Sequence, residues 1–487
     1  MASLAELKQE RLDKLHRLES LGYSGFAVSA GQSHTISNLV SNFDEYEASQ
    51  AEITVTGRVM ARRGHGKLMF IDLFDGTNTI QIYNKKDELG DAFNHLEDLI
   101  DRGDFISVTG VATKTKRGEP SIYAKSWDLV TKSLAPLPDS WDGLKDDDLR
   151  YRNRHLDLLQ NPELRDLFVK KAKFWQAARE FLITEGFIEV HTPTLETTTG
   201  GAEASPFITH HNDFDIDVYL RISVGELWQK RLMAAGFPRT FEMGRIYRNE
   251  GSSPEHLQEF NNIEFYAANL DFSGGLDLLE RHFRYVIDKV FDGQTSFDIK
   301  GFQVDFSEPF KKIDYVDIVK EITGIDVLEA SEAEMIQKLE ELGVRYEGDN
   351  RERLTDTLWK YCRKTIGGPV WLVGHPKLVS PLAKADPNNP DKTLRAQLIL
   401  GGSELNNCFV ELNDPIDQRA RFELQQNLLE GGDDEAMMPD WEFVEMLEHG
   451  MPPTFGASTV GERLFAFLVN KPIRETQLFP LVKPIVE

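Results

Sequence analysis

Two neighbouring segments contain side chains that could hold a flat, charged ligand. They read RTFEMGRIYRNEG at 239–251 and HLQEFNNIEFYAANL at 256–270. Strand alternation predicts Arg248 and Glu250 on one face of the first, and Glu264 and Tyr266 on one face of the second, which begins near Phe260. The arginine could clamp a phosphate or a carboxylate, and the phenylalanine could stack on a base. An ordinary amphipathic hairpin with a solvated polar face has the same pattern.

A third segment, LILGGSELNNCFVELNDPIDQ at 398–418, carries carboxylates along an extended stretch. Asn407, Phe409 and Glu411 alternate onto one face, and Glu404 precedes them. Carboxylates beside a ligand pocket need a cation, which can be Mg²⁺, an ammonium group or an arginine. A polar strand edge would account for the segment equally well.

The segment PPTFGASTVGERLFAFLVN at 452–470 predicts a glycine-containing strand followed by a helix whose first turn holds Glu462 and Arg463. An arginine aimed at phosphates and a simple strand-to-helix turn are both compatible with it. The sequence contains no GxxxxGK[ST] loop, no GxGxxG after an N-terminal strand, no HExxH and no GxSxG. Hydrolase and dehydrogenase classes therefore lose most of their support.

The elements in front of these segments predict a separate barrel. Apolar residues at helical spacing predict a helix over 4–22, and from about residue 52 the period changes to two. Five short strands, with a helix-like stretch before the fourth, fit a closed barrel of the OB type. A proline-rich linker at 134–159 then leads into a second domain.

The second domain is predicted to be α+β. A long helix from 162 is followed by strands near 187–190, 218–223, 240–248 and 260–268, an inserted α/β stretch at about 305–385, and further strands at 396–412. Long strands without a regular βαβ rhythm favour an antiparallel sheet. The predicted boundaries are 1–45 for an N-terminal helix and lead-in, 46–135 for the barrel and 136–487 for the second domain.

The composition is that of a globular protein of 487 residues with 28% charged residues. No apolar run is long enough for a membrane helix, and the N-terminal helix lacks the apolar core of a signal peptide, so we expect a cytoplasmic protein without membrane contact. A net charge of −25 argues against a nucleic-acid partner. Positive charge is nevertheless concentrated at 58–68 and 114–117, which leaves RNA open.

In their order along the chain, these segments resemble the class II lysyl-tRNA synthetases. The stretch 186–223 resembles the first motif and lysine loop of that family, and RNEG through EFNNIEFY resembles the second motif. SELNNCFVELNDPIDQ is similar to the lysine and metal strand, and LEHGMPPTFGASTVGERL to the third motif. The resemblance implies an antiparallel class II catalytic domain, an anticodon-binding OB barrel, and a homodimer formed through the first motif.

The resemblance also implies how ATP would be held. An arginine at the place of Arg248 bridges the substrate carboxylate and the α-phosphate while the carboxylate attacks in line. Phe260 would stack on one face of the adenine ring, and Arg463 would lie on the other face of that ring. The residues implied for the nucleotide are Arg248, Glu250, His256, Phe260 and Arg463, with Mg²⁺ at Glu404.

For L-lysine, the resemblance implies carboxylates around the ε-ammonium group, which reject neutral side chains through an unpaired charge. Glu226, Glu411 and Tyr266 match those positions, and Asn407 would hold the substrate carboxylate. The residues implied for lysine are Gly200, Glu226, Glu264, Tyr266, Asn407, Phe409 and Glu411, of which Glu264 and the backbone at Gly200 receive the α-amino group.

For tRNA(Lys), the resemblance implies anticodon reading by the barrel, with aromatic stacking as in other single-strand readers. The implied residues are Arg58, Phe70, Gln81 and Glu119. Local phosphate contacts would come from Arg58, Arg62, Arg63, Lys67 and Lys114.

The chain departs from the family mainly on the ATP side. The family holds metal with two carboxylates seven residues apart, and here Gln397 takes the first place, so Mg²⁺ binding should be weaker or rearranged. Glu255 replaces a basic residue and should repel triphosphate. The other departures are Leu257, Ser458, Val460, Ser205 and one extra residue between Arg221 and Glu226.

Two alternatives follow from these departures. One is a paralogue that binds lysine or tRNA but has lost efficient aminoacylation. The other is a relative that attaches lysine to something other than tRNA, although such relatives typically lack an anticodon domain. The retained set of Arg248, Glu250, Phe260, Glu404, Glu411 and Arg463 favours the enzyme.

Overall fold

The computed structural model describes residues 3–138, 146–201, 204–346, 348–432, 436–459 and 461–485. The chain divides into two compact units, Met1–Gln160 and Asn161–Glu487. Part of the predicted linker, 139–145, lies outside the described residues, and so does Val460.

The first unit contains five strands and seven helices among its described residues. The strands are β1 (Ile53–His65), β2 (Leu68–Phe74), β3 (Thr79–Lys85), β4 (Phe105–Lys114) and β5 (Pro120–Thr131). The helices are α1 (Leu4–Ser20), α2 (Ile36–Ser41), α3 (Phe43–Ser49), α4 (Lys86–Leu89), α5 (Asp91–Leu99), α6 (Asp147–Arg152) and α7 (Arg154–Gln160).

The strands of the first unit close into a barrel in the order β1-β2-β3-β5-β4. β3 and β5 run parallel, while the other neighbouring pairs run antiparallel. Alternate residues point inward because side chains alternate along a strand, and Val55, Ile71, Ile82 and Val108 are completely buried. The predicted OB barrel, with a helix before its fourth strand, is confirmed.

The second unit is built from strands and helices that alternate irregularly. Its strands are β6 (Ile188–Glu189), β7 (Leu195–Glu196), β8 (Ile208–His211), β9 (Ile216–Leu220), β10 (Arg239–Tyr247), β11 (Glu259–Ala268), β12 (Ser296–Ile299), β13 (Phe302–Asp305), β14 (Lys311–Asp314), β15 (Val370–Val373), β16 (Ala385–Asp386), β17 (Asn389–Thr393), β18 (Arg395–Leu400), β19 (Ser403–Glu404), β20 (Asn406–Val410) and β21 (Thr454–Thr459). Its helices are α8 (Pro162–Thr184), α9 (Glu226–Ala234), α10 (Phe272–Phe291), α11 (Tyr315–Thr323), α12 (Glu332–Glu341), α13 (Arg351–Cys362), α14 (Pro415–Glu430), α15 (Trp441–Glu448) and α16 (Gly461–Leu468), with short 3₁₀ turns at Arg363–Thr365 and Lys377–Val379.

A nine-stranded sheet forms the centre of the second unit. Its order is β14-β15-β18-β20-β21-β11-β10-β6, with β19 paired to β18. All neighbouring pairs are antiparallel except β10 with β6 and β14 with β15, which confirms the predicted α+β class. The stretch predicted as an insertion supplies β14 and β15 to this sheet.

One detail of the predicted hairpin is wrong. Strand alternation was expected to carry Arg248 and Glu250, but β10 ends at Tyr247. The backbone N–H of Arg248 donates to the carbonyl of Gln258 at 2.9 Å, so the chain turns back here and β11 starts at Glu259. Both side chains are therefore presented from a loop.

Helix ends in the second unit follow ordinary capping chemistry. Asp271 accepts from the N–H of Gly274 at the start of α10, and Asp414 does the same for Ile416 at the start of α14, where Pro415 occupies the first helical position. Within the part of the chain that the structure describes, no helix combines the length and the hydropathy that crossing a bilayer requires.

Candidate active site

A cavity of about 460 Å³ lies over the central sheet of the second unit. Because β10, β11, β20 and β21 are neighbours, side chains that are distant in sequence converge on it. Gly200, Tyr266 and Glu411 lie outside its lining, the last two being buried behind it. The predicted residues that line it are Glu226, Arg248, Glu250, His256, Phe260, Glu264, Glu404, Asn407, Phe409 and Arg463.

Arg248 lines the cavity, and none of the carboxylates that the structure describes is in direct contact with it. Its Nη2 donates to the carbonyl of Ile222 at 3.4 Å, and its buried Nε has no hydrogen-bond partner among the described residues. The guanidinium lies 5.8 Å from the centre of the Phe260 ring. Burial lowers the pKa of Arg248. A buried arginine with an unused donor needs an anion, which this cavity could admit.

Arg463 extends from the first turn of α16 into the same end of the cavity. Its Nη1 donates to the backbone carbonyl of Glu404 at 2.8 Å and its Nε to that of Glu255 at 3.3 Å. His256 lies nearby, where burial and the positive charge of Arg463 lower its pKa. Its neutral ring can therefore accept or donate a hydrogen bond near neutral pH.

The carboxylate of Glu255, which was expected to repel a triphosphate, is paired with neighbouring side chains. Lys300 Nζ lies 2.5 Å from one carboxylate oxygen, and the Ser403 hydroxyl donates to the other at 2.7 Å. Although burial acts in the opposite direction, these two contacts lower the pKa of Glu255. The negative charge is thus held in an ion pair, which weakens its effect on the cavity.

Glu404 is surrounded by hydrogen-bond donors. The indole N–H of Trp359 donates to Oε1 at 2.7 Å, and Nη1 of Arg363 lies 2.9 Å from the same oxygen. The amide Nε2 of Gln397 donates to Oε2 at 3.2 Å. Although burial acts in the opposite direction, Arg363 and Trp359 hold the pKa of Glu404 below its usual value.

These donors do not fit a protein-held magnesium ion. A hard divalent cation requires several oxygen ligands, yet the neighbour of Glu404 is an amide that presents its NH₂ group. Among the described residues, no group of three or more His, Cys, Asp or Glu side chains could hold a metal. The carboxylate is neutralised instead by a guanidinium.

The opposite end of the cavity leads to a buried cluster of charges. Nζ of Lys230 lies 2.6 Å from Oε2 of Glu411 and 2.9 Å from Oε1 of Glu226, and it is 1% exposed. The rings of Phe409 and Phe443 lie 5.3 and 5.7 Å from the ammonium. Burial raises the pKa of Glu411 to about 8 despite Lys230, and Glu226 acts in the same direction.

Glu264 lines the cavity beside this cluster. Its Oε1 accepts from the backbone N–H of Val224 at 2.8 Å, and its Oε2 accepts from the Tyr266 hydroxyl at 3.4 Å. Burial and the charge of Glu226 raise the pKa of Glu264 to about 7. The loop at 221–225 that carries the extra residue therefore contacts a predicted lysine-binding carboxylate directly.

Gly200 packs against the helix that carries Glu226. A Cβ atom there would lie 2.2 Å from Cδ1 of Leu227 in α9, so a larger residue would require this leucine side chain to move. Asn407 accepts a hydrogen bond from Nε of Arg395 at 2.8 Å, which fixes its amide. At the replaced third-motif glycine, the Ser458 hydroxyl accepts from the amide of Asn262 at 2.8 Å.

The barrel of the first unit carries an aromatic face. Phe70 stacks on Tyr83 with ring centres 5.0 Å apart, and Tyr123 meets Tyr83 edge-on at 5.6 Å. All three rings are partly exposed. Oε1 of Gln81 accepts from the Ser121 hydroxyl at 3.0 Å, on the strand that starts just after Glu119. Such neighbouring rings are typical of surfaces that bind single-stranded nucleic acid.

The basic residues expected to contact phosphates already have partners. Arg63 binds Asp72 through two contacts of 3.0 and 2.9 Å, Lys67 lies 3.0 Å from Asp87, and Lys114 lies 2.7 Å from Asp44. Arg62 donates to the carbonyl of Ile100. The guanidinium of Arg58 lies 4.3 Å from the centre of the Phe105 ring.

Fold and site together define a class of protein. An antiparallel sheet carries a cavity lined by arginines and carboxylates, and a separate OB barrel carries an aromatic face. This combination is that of a class II aminoacyl-tRNA synthetase. In agreement, the tRNA synthetases class II (D, K and N) family matches residues 146–483, and the OB-fold nucleic acid binding domain matches residues 53–130.

Comparison with similar proteins identifies the family within this class. The chain is 41% identical over 490 residues to the lysine–tRNA ligase of Thermotoga maritima and 42% identical over 489 residues to that of Clostridium perfringens. The ligase of Thermosipho africanus is 38% identical over 488 residues. Each match covers 99% of this chain and 97% of the relative. The chain therefore belongs to the lysine–tRNA ligase family.

Sequence reasoning missed several residues at the site. Lys230 could have been noticed, because it stands four residues after Glu226 on a helix. Arg363, Trp359 and His375 belong to the stretch set aside as an insertion, and no local pattern connects them with Glu404. Only the pairing of β15 with β18 brings that stretch to the cavity.

Proposed function

We propose that the chain activates L-lysine with ATP and transfers the lysyl group to tRNA(Lys). In the first step a lysine carboxylate oxygen attacks the α-phosphorus, a new P–O bond forms, and the bond to the β-phosphate oxygen breaks as pyrophosphate leaves. In the second step a terminal ribose hydroxyl attacks the lysyl carbonyl and AMP leaves. The observation that carries this proposal is a cavity that is lined by Arg248 and Arg463 and leads to the buried cluster of Lys230, Glu226 and Glu411.

Arg248 would stabilise the charge that develops during the first step. Its unpaired Nε and its position beside Phe260 suit a group that contacts both the lysine carboxylate and the α-phosphate. Phe260 would carry the adenine ring, and Arg463 with His256 would contact the terminal phosphate. Glu250 lines the same end of the cavity, where we assign it to the nucleotide.

The buried cluster would select lysine by charge. With Glu411 protonated, the charges of Glu226 and Lys230 balance in the empty pocket. An incoming ε-ammonium would favour ionised Glu411, so two carboxylates would then face two ammonium groups. A neutral side chain of similar length would leave the balance unchanged and gain no ionic contact. Glu264 and the backbone at Gly200 would receive the α-amino group, and Asn407 the carboxylate.

The barrel would bind the anticodon of tRNA(Lys) through Phe70, Gln81, Glu119 and Arg58. We further propose a homodimer formed through the stretch 186–223, and a cytoplasmic location, where tRNA and ATP are available. Mg²⁺ would arrive on the phosphates of ATP, since the donors around Glu404 do not suit a metal held by the protein.

Pyrophosphate exchange into ATP, measured with each amino acid in turn, tests this function. We expect exchange with lysine alone, and attachment of lysine to tRNA(Lys) in a second assay. Arg248→Gln should lower the exchange rate by roughly 10²- to 10³-fold, the usual effect of removing one charge-stabilising donor. The control is Arg245→Gln, an exposed arginine of β10 that precedes Arg248 by three residues and pairs with Glu259.

Exchange with a different amino acid would disprove the lysine assignment. If the unchanged chain shows no pyrophosphate exchange but binds lysine or tRNA, the result favours a paralogue that no longer aminoacylates. An equal rate for Arg248→Gln and the unchanged chain would remove Arg248 from the reaction.

A further inference from the structure

The environment of Glu404 determines which way Gln397 faces. An ionised carboxylate can only accept hydrogen bonds, so the amide nitrogen of Gln397, not its oxygen, must lie against Oε2 of Glu404. The amide oxygen then points to Nε2 of His375, 2.9 Å away. His375 is 2% exposed, so its neutral ring donates to that oxygen. The side-chain oxygen of Gln397 is therefore hydrogen-bonded to His375 and is not available to a metal ion.

The other carboxylate oxygen of Glu404 also has partners. Oε1 accepts a hydrogen bond from the indole N–H of Trp359 at 2.7 Å, and Nη1 of Arg363 lies 2.9 Å from it. The indole is fixed in place because Trp359 is 1% exposed, whereas the side chain of Arg363 remains 25% exposed. A guanidinium with five donors can bind a carboxylate on one side and keep further N–H groups for a second anion.

Arg363 lies in the same cavity as Arg248 and Arg463. Electrostatic interactions connect it with both Arg463 and His256, so the two guanidinium groups and the neutral imidazole stand close to one another. The nearby carboxylate of Glu255 is already paired with Lys300. Three guanidinium groups thus line the same cavity, and one of them, Arg363, is paired with Glu404.

We propose that Arg363 is a nucleotide-binding residue that neutralises Glu404 in place of a divalent cation and contacts the phosphates of ATP. This inference rests on the proposed function, because it assumes a nucleotide in the cavity. Guanidinium groups bind phosphate oxygens in a planar, two-contact geometry and need no ordered water or octahedral ligand set. The protein then holds no metal at Glu404, and its affinity for nucleotide depends little on divalent ions.

Calorimetric titration with α,β-methylene-ATP, in the presence of lysine, measures this dependence without turnover. For the unchanged chain we expect dissociation constants within about threefold of each other in Mg²⁺ and in EDTA, since the cationic contact is built in. Arg363→Ala should weaken binding at least roughly tenfold in EDTA, the loss of one charge-assisted contact. Lys364→Ala is the matched control, because Lys364 is the exposed next residue of the same turn.

The double variant Arg363→Ala with Gln397→Glu replaces the guanidinium by a second carboxylate. It should bind the analogue well only when Mg²⁺ is present. Electron paramagnetic resonance with Mn²⁺ provides an independent readout. We expect the spectrum of the manganese–nucleotide complex to change on binding to the double variant much more than on binding to the unchanged chain. Recovery of binding in the double variant also shows that a weak Arg363→Ala variant is folded.

The proposal is overturned if the unchanged chain loses more than tenfold affinity in EDTA, or if Arg363→Ala and Lys364→Ala bind alike. A manganese spectrum perturbed equally by the unchanged chain and the double variant would also overturn it. If the unchanged chain binds no analogue with or without Mg²⁺, the proposed function fails and this inference fails with it.

Discussion

Lys230 places an ammonium group inside the pocket that we propose for lysine. The cluster of Lys230, Glu226 and Glu411 is fully buried, so each charge depends on the others for compensation. Adding one more ammonium is favourable only if one more carboxylate ionises. Lysine selection would then be a property of the cluster, and no single side chain of it would be sufficient.

Glu411→Gln tests this at the level of one residue. The amide keeps the shape of protonated Glu411 but cannot ionise, so the substrate ammonium loses a charge-assisted contact. We expect lysine affinity to fall by roughly 1.5 to 3 kcal/mol, or about ten- to a hundredfold. Calorimetry with lysine measures it, and Glu423→Gln on the surface of α14 serves as the control. Unchanged affinity would remove Glu411 from the lysine site.

The pH dependence of lysine binding follows from the same residues. Burial raises the pKa of Glu264 to about 7 and that of Glu411 to about 8. Because these pKa values are raised, both carboxyl groups are mostly protonated at pH 6, and they must lose their protons to form ion pairs with ammonium groups. Lysine affinity should therefore rise between pH 6 and 8.5, with protons released on binding. Calorimetry in buffers of different ionisation enthalpy measures the release, and a flat profile would contradict the assignment.

The same raised pKa values affect the stability of the empty protein. An acid whose pKa is higher in the folded state stabilises that state below its unfolded pKa, and this contribution is lost as the pH rises through the folded value. For Glu264 and Glu411 the loss falls between about pH 4.5 and 8. Lysine should therefore stabilise the protein most strongly at the alkaline end of that window.

The sequence predicted Arg248, Phe260 and most of the carboxylates that line the cavity, because strand alternation and the family resemblance both indicate these positions. It did not predict the pairing of Glu404 with Arg363. Residues 363 and 404 come together only through the sheet and through α13, and no periodicity in the sequence reports a contact over that separation. The ion pair of Glu255 with Lys300 was missed for the same reason, since the two residues are 45 apart in the sequence.

At the scale of elements, the contact between β21 and β11 shapes the pocket. Gly456 pairs with Tyr266 across these strands and with Phe409 across β20. A Cβ atom at Gly456 would lie 2.0 Å from Oε1 of Glu411 and 2.6 Å from the Tyr266 ring. The glycine therefore makes room for the carboxylate that we assign to lysine.

Gly456→Ala should displace Glu411 and Tyr266 while the strand itself remains paired. Overpacking of this kind typically costs about 1 to 3 kcal/mol. We expect lysine affinity to fall roughly tenfold or more, with binding of the ATP analogue much less affected. The control is Gly64→Ala, since an added Cβ there meets only a carbonyl at 3.7 Å. Equal losses for lysine and nucleotide would indicate general disruption of the sheet instead.

Strands and helices were predicted well where their patterns are long. The helix predicted from 162 begins at Pro162 as α8, and the predicted strands at 240–248 and 260–268 are β10 and β11 within one residue at each end. The residue at which β10 ends was not predicted, and it decides that Arg248 is presented from a loop. It depends on a backbone hydrogen bond between Arg248 and Gln258, which side-chain alternation cannot report.

At the scale of the whole molecule, two compact units carry separate tasks. Net charge is −25, yet one unit has an aromatic face and the other a cavity lined by several arginines. Both partners proposed for these surfaces, tRNA and ATP, are anions. Local structure rather than overall charge must therefore attract them, and stacking on the barrel becomes important.

Phe70→Ala tests the separation of tasks. Loss of one stacking platform should weaken tRNA binding by roughly 1 to 3 kcal/mol. Lysine-dependent pyrophosphate exchange should stay unchanged, since Phe70 belongs to the other unit. Filter binding of tRNA and the exchange assay measure the two effects, with Phe26→Ala, an exposed phenylalanine of the same unit, as the control. Equal charging of native and anticodon-altered tRNA would argue against anticodon reading.

The ion pairs of the barrel also determine how RNA binding responds to salt. Binding to a free cationic surface releases condensed counterions, and each phosphate contact on single-stranded nucleic acid adds about 0.7 to the slope of log affinity against log salt. Arg63, Lys67 and Lys114 carry carboxylates as internal counterions, so far fewer ions are released than a count of basic residues suggests. The slope should be shallow, and binding should persist at ionic strengths that dissociate RNA from ordinary basic domains.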